Sequence, residues 1–219
     1  MDSNKFQFRL LTNDDVKEAS KLLTNAFCER DALVSCLVQN IGYIFNPENT
    51  ISKGAQQELS IVCEDISQAI GERIVGIMLS SRLEFNENIA KHDALVFTIN
   101  YLDMEWLRLH PEFKLDELRE KVFHMEYLAV KVGYENLGIA SRLVEESLNR
   151  AKQGGFQIVL VEATGYKSQR IFDEKLKFKQ MNSIVYEEFE FKGKKIFKGL
   201  NGPPKFIAFE KNLQMLDSI

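Results

Sequence analysis

The residues with the plainest chemical use lie in one turn, Glu135-Asn136-Leu137-Gly138-Ile139-Ala140. An extended stretch, Val122 to Val130, runs into it. An amphipathic helix, Gly138 to Lys152, leaves it, with Ile139, Leu143, Val144 and Leu148 at helical spacing and Gly154-Gly155 as its stop. At such a junction the first backbone N–H groups of the helix have no intrahelical acceptor. The helix dipole adds partial positive charge at the same end. Together they suit a pyrophosphate without any Lys or Arg. Asn136, Leu137, Gly138, Ile139, Ala140 and Ser141 would present that main chain. Gly138 allows close approach of the backbone, and Ala140 keeps the helix start small. An ordinary strand-to-helix connection also accommodates a glycine, so the turn gains meaning only from its surroundings.

Groups able to move a proton lie on both sides of this turn in the sequence. By the two-residue period of a strand, His124, Glu126, Leu128 and Val130 share one face. Glu126 suits a general base if that face meets a substrate, and equally a salt-bridged strand carboxylate. His124 fits the same face as a catalyst or as a satisfied structural residue. Thr164 and Ser168 are hydroxyls four residues apart. Ser168 also fits the N-cap of a short helix running to about Leu176.

The elements that must position these groups alternate along the chain. Phe6 to Leu11 reads as a strand. Asn13 caps a helix carrying Val16, Ala19, Leu22, Leu23 and Ala26. A second helix is expected from about Asp31 to Val38, and a loop around Pro47, Asn49 and Gly54. Leu59 to Val62 and Arg73 to Leu79 read as an antiparallel hairpin turning near Gly71. Ile89 to His110 reads as one helix stopped by Pro111, with Leu95, Ile99, Leu102, Trp106 and Leu109 in a stripe. Ile158 to Val161 is a buried strand, and Lys179 to Phe191 and Lys205 to Phe209 close the chain as strands. This order predicts an α/β (α+β) fold: a mixed sheet of about seven strands with helices on both faces. No repeat or linker divides the chain. One domain over 1–219 is expected, with a helical insertion at about 89–121.

Composition narrows the partners. The 219 residues are 45% hydrophobic and 27% charged, which suits a globular core. From Lys167 onward there are 11 basic and 7 acidic residues, against 17 basic and 25 acidic before it. No dominant basic field argues for nucleic acid, and the acidic part suits a cationic partner. Cys28, Cys36 and Cys63 form neither a CxxC motif nor an even disulfide set. No apolar run behind Met1 reads as a signal peptide, and none approaches membrane-spanning length. A cytoplasmic protein with no membrane partner and no metal is expected, as a monomer or homodimer.

The turn resembles motif A of the GCN5-related N-acetyltransferases, where Gln or Arg, two residues, Gly, any residue and then Gly or Ala follow the fourth strand. Gly138, Ile139 and Ala140 match, whereas Glu135 stands at the Gln/Arg position. Ser60 to Asp65 with Ile74 to Met78 is similar to the family's second and third strands, and Thr164 to Phe178 to the helix that ends its acetyl-CoA site. Phe27 to Leu33 and Tyr186 to Leu213 resemble the arylalkylamine and dopamine branch. The resemblance implies acetyl-CoA as co-substrate and a primary amine as acceptor, arylalkylamine-like or polyamine-like, attacked directly in a ternary complex. It implies main-chain contacts to the thioester arm from Leu128, Ala129 and Val130, on a strand that splays from the next. It places Asp31 where the branch carries a Glu before Pro-Leu, so Asp31 joins Glu126 as a candidate base, with Glu29 behind them. Asp31 fits a helix N-cap as well. Ser168, with Thr164, is the candidate acid, since Phe172 or Asp173 stands where many members carry a Tyr. Phe172 then closes the cofactor site. Trp106, Tyr101 and Phe97 of the insertion fit either an acceptor pocket or core. Glu135, the absent Tyr and the absent Pro after Asp31 also fit a second class of function, a catalytically impaired member acting as a binding or structural module.

Overall fold

The central strands show almost no exposed positions, because helices cover both faces of their sheet. In the computed structural model, which describes residues 5–85 and 87–214, the strands are β1 (Phe6–Leu10), β2 (Ile61–Asp65), β3 (Ile74–Arg82), β4 (Val122–Val130), β5 (Ile158–Ala163), β6 (Lys179–Val185) and β7 (Lys205–Asn212). They form one seven-stranded sheet in the order β1-β2-β3-β4-β5-β7-β6. Every pairing is antiparallel except β4 with β5. The helices are α1 (Val16–Arg30), α2 (Ala32–Ile41), α3 (Glu48–Gln57), α4 (Glu87–Ala90), α5 (Ala94–Arg108), α6 (Leu118–Lys121), α7 (Ile139–Gln153) and α8 (Tyr166–Arg170). A single π turn, Ile171–Lys175, continues α8. The α/β class and the helices on both faces are as the sequence predicts.

Two apolar layers hold the sheet. Leu23, Leu33, Leu37 and Ile51 from α1, α2 and α3 pack with Ile77 and Leu79 on one face. Ile139, Leu143 and Val144 of α7 pack with Cys63, Val75 and Phe123 on the other. Burial of such side chains contributes about 1.5–3 kcal/mol each. The start of α7 is seated on β3 at Gly76: a Cβ there would meet Ile139 Cγ2 at 2.8 Å and Leu143 Cδ1 at 3.0 Å. Gly76→Ala is therefore expected to destabilise the protein by about 1–3 kcal/mol through overpacking. A urea melt measures this, and an unchanged midpoint would show that α7 is free to lift.

Several local expectations differ from the structure. Asn13 is not a cap but opens a 3-10 turn, Asn13–Asp15, whose N-cap is Thr12. The stretch around Pro47 and Gly54 is helical, as α3. Gly54 serves close packing rather than a turn, since a Cβ would meet Leu79 Cδ1 at 2.6 Å and Ser60 Oγ at 2.8 Å. The helix expected from Ile89 to His110 is interrupted, because Asp93 caps a new start and accepts from Leu95 N–H at 2.9 Å and Val96 N–H at 3.0 Å. The strand beginning at Lys179 ends at Val185, where Glu188 and Phe189 turn back on the Val185 carbonyl at 3.1 Å. Among the described residues, no helix is long and apolar enough to cross a membrane.

Candidate functional site

The site begins where two parallel strands part. β4 and β5 pair only from Val122 with Ile158 to Met125 with Val161. Beyond that, β4 continues to Val130 beside β3 alone. Lys131 N–H bonds the Val75 carbonyl at 2.8 Å. By alternation, Ala129 turns its main chain to β3, while Leu128 and Val130 turn theirs to the gap. A cavity of about 710 Å³ opens there. All three residues line it, but only Leu128 and Val130 offer it main-chain groups.

The turn closes one end of the cavity. Gly138 sits at φ +76°, and Asn136 at φ +61°. Gly138 is the N-cap of α7 and no side chain caps this helix. The first main-chain acceptance is Gly138 O from Arg142 N–H at 3.1 Å. Among the described residues, the N–H groups of Ile139, Ala140 and Ser141 meet no acceptor. Asn136, Gly138, Ile139, Ala140 and Ser141 line the cavity, whereas Leu137 does not. A Cβ on Gly138 would meet nothing within 4 Å, so the space in front of the glycine is open. The donors and the open space fit a pyrophosphate group. Glu135 does not face this space freely: its Oε2 accepts from Gly133 N–H at 2.7 Å and its Oε1 from Arg30 Nη1 at 3.1 Å. Main-chain N–H groups, its own and that of Gly133, with Arg30 adding to them, hold its carboxyl below the usual range.

The candidate bases converge on the cavity from different elements. Asp31 lies at the α1–α2 corner and caps α2, accepting from Val34 N–H at 2.9 Å. Its second oxygen accepts from Thr164 Oγ1 at 2.8 Å. Asp31 is thus the N-cap of α2, and the same side chain lines the cavity. Burial pushes its carboxyl up, more than these hydrogen bonds lower it. Glu126 lines the cavity from β4 and accepts a hydrogen bond from Ser81 Oγ. Burial pushes its carboxyl up as well, against the pull of His124 and Ser81. No other side-chain bond engages Glu126 among the described residues. Glu29 is exposed on α1 and does not line the cavity.

Behind Glu126 lies a buried group. His124 Nε2 bonds Glu162 Oε2 at 2.7 Å, and Asp103 of α5 joins them. Burial would push the imidazole down, but Glu162, Asp103 and Glu126 outweigh it and push it up to about 10. Burial and the Glu162 carboxylate push Asp103 well above the carboxylate range. The trio's ligand atoms lie within 4.8 Å of one another, a spacing that would also admit a metal ion. Glu162 lines the cavity whereas His124 does not. Neither Glu162 nor Asp103 carried a signal in the sequence, because β5 and α5 reach this point only through the sheet order.

Ser168 lines the cavity but is third in α8 rather than its cap. Its Oγ donates to the Gly165 carbonyl at 2.9 Å and accepts from Gly165 N–H at 3.3 Å. Phe172 lines the cavity and is otherwise core, packed on Phe178 and Phe209. A phenol the sequence reading passed over, Tyr166, lines the cavity and donates to the Gly202 carbonyl at 3.2 Å. From α5 the cavity receives Leu95 and Ile99 rather than aromatic rings. Trp106 is fully buried against Glu210, while Phe97 and Tyr101 pack on Phe189.

Comparison with known proteins follows this geometry. The family model described as "Acetyltransferase (GNAT) family" matches residues 69–178, which include the turn and both splayed strands. The chain belongs to this family, and by class it is an acyl-CoA-dependent N-acetyltransferase. No curated protein matches it in sequence. Among solved structures, arylalkylamine N-acetyltransferase 2 from Aedes aegypti is 20% identical with a TM-score of 0.72, covering 96% of this chain and 100% of that one. The C-terminal condensation domain of Ebony, in complex with beta-alanyl-dopamine, is 17% identical with a TM-score of 0.74, over 95% and 99%. The acetyltransferase yncA from Salmonella typhimurium, with its cofactor acetyl-CoA, is 12% identical with a TM-score of 0.59, over 96% and 95%. At these identities the likeness is one of fold.

Proposed function

We propose that this protein transfers acetyl from acetyl-CoA to a small primary amine, arylalkylamine-like or polyamine-like, by direct attack in a ternary complex. One observation carries the reading. A single cavity is lined by the unpaired α7 N–H groups, the splayed edge of β4 and, on the same strand, Glu126 with its raised carboxyl. When bound, acetyl-CoA supplies an activated thioester carbonyl. The turn at Asn136 to Ser141 holds phosphate, and the main chain of Leu128 and Val130 orients the arm. Their N–H groups also offer hydrogen bonds to a carbonyl oxygen gathering charge. Glu126 takes the proton from the acceptor ammonium. The acidic side chains of Asp31, Glu126 and Glu162 around the cavity suit a cationic acceptor. Ser168 and Tyr166, with Thr164 beside them, are among the cavity-lining hydroxyls that could protonate a leaving thiolate. The same reading takes 1–219 as one catalytic domain and places it in the cytoplasm.

Calorimetric titration of acetyl-CoA, followed by free-thiol release across a panel of amines, tests this. Micromolar binding with amine-dependent thiol release is the expected result. Binding without release for any amine would favour the module reading, and no binding would remove acetyl-CoA from the site. Asp31→Asn is expected to cost roughly tenfold in kcat/KM. Asn keeps an oxygen for Val34 N–H but weakens the charge-assisted bond from Thr164, worth about 1.5 kcal/mol. A loss as large as that of Glu126→Gln would move the base to Asp31.

A further inference from the structure

We propose that Arg30, at the end of α1, is the pyrophosphate-binding cation of this protein, taking over from the turn position that Glu135 occupies. The inference rests on the acetyl-CoA reading above. Glu135 puts a negative charge at the turn beside the open space that fits phosphate. A dianionic group arriving there would be repelled unless a cation accompanied the carboxylate. Arg30 is that cation. It lies 105 residues away in sequence, yet Nη1 reaches Glu135 Oε1 at 3.1 Å. Its Nη2 donates to the Val130 carbonyl at 2.8 Å. That carbonyl is on the gap side of β4, by the alternation that sends Lys131 N–H to Val75. The guanidinium therefore spans the opening between the turn and the splayed strand, where an anion must enter.

Three features suit it to the task. Arg30 lines the cavity and its side chain stays 36% exposed. A guanidinium has five N–H donors in a planar fork, and the two hydrogen bonds leave others for a phosphate oxygen. Glu135 is itself pinned by Gly133 N–H at 2.7 Å, so it anchors the guanidinium rather than following it. Lys167, Arg170 and Lys175 also line the cavity, and the charge of Lys167 reaches Glu135, but among the described residues none of the three hydrogen-bonds the turn as Arg30 does. Arg30 adjoins Asp31, which accepts a hydrogen bond from Thr164, and all three line the cavity.

The test compares CoA, dephospho-CoA and pantetheine by calorimetry on wild type, Arg30→Ala, Arg30→Lys and the exchange Arg30→Glu with Glu135→Arg. Dephospho-CoA keeps the pyrophosphate, and pantetheine has no phosphate. Arg30→Ala is expected to weaken CoA and dephospho-CoA roughly ten- to hundredfold, the size of a charge-assisted hydrogen bond. Pantetheine binding is expected to be unchanged. Arg30→Lys should retain part of the affinity, and the exchange variant, with the cation in the turn, should recover most of it. Thermal melts of each variant separate a folding defect from a binding one. Equal CoA affinity in Arg30→Ala and wild type overturns the proposal. So does equal proportional loss for pantetheine, which would make Arg30 a strut for Val130. Wild type that binds none of the three ligands instead overturns the acetyl-CoA reading, and this proposal with it.

Discussion

Replacing Glu126 by Gln is expected to lower kcat/KM for amine acetylation by about 10²–10⁴, the usual contribution of a positioned general base. The side chain keeps its length and still bonds Ser81, so the cavity keeps its shape. Affinity for CoA is expected to stay within about twofold of wild type, because the turn and β4 main chain are untouched. The pH profile supplies a second readout. Burial pushes the Glu126 carboxyl up, against His124 and Ser81. A base must be unprotonated, so wild-type kcat is expected to rise with pH, with an apparent pKa above the ordinary carboxylate range. Glu126→Gln should lose that acidic limb. A variant as active as wild type, with the limb intact, would place the base elsewhere, with Asp31 next in line. A purely structural role for Glu126 would lower the melting temperature and leave the limb in place.

Replacing Gly138 by Val is expected to weaken CoA binding by at least about a hundredfold. The glycine holds φ +76° with open space before it. A β-branched residue in the left-handed region costs about 1–3 kcal/mol, which a melt would register as a modest loss of stability. The larger effect is on the ligand. The new methyl groups project into the space before the N–H groups of Ile139, Ala140 and Ser141, so a phosphate cannot approach them. Pantetheine, which does not use the cradle, serves as the control and should bind unchanged. Undiminished CoA affinity in a folded Gly138→Val protein would show that phosphate does not sit at this turn.

Much of the scaffold was readable in the chain. The period-two run from Val122 to Val130 and the amphipathic run after Gly138 are local patterns, and both elements form within a residue of those limits. Gly54 was misread, and Asp93 passed over within an expected helix, for a shared reason. A glycine can mark a turn or a close contact, and an Asp inside an apolar stripe can be surface or cap. Only neighbours decide: Leu79 and Ser60 in the first case, Leu95 and Val96 N–H in the second.

The site divides along the same line. Sequence by itself determined the strand–turn–helix with its unpaired N–H groups, because that feature depends on covalent neighbours and helix geometry alone. It also determined that Glu126 and His124 lie on the same strand. The tertiary structure alone decided what they meet. The parting of β4 from β5 after Met125 creates the cavity. Sheet order brings Glu162 to His124, and α5 lays Asp103 on both. The α1–α2 corner carries Arg30 to Glu135, across 105 residues. Charge pairing of this kind depends on distance in space and on burial, and neither is encoded in the spacing of residues along a chain.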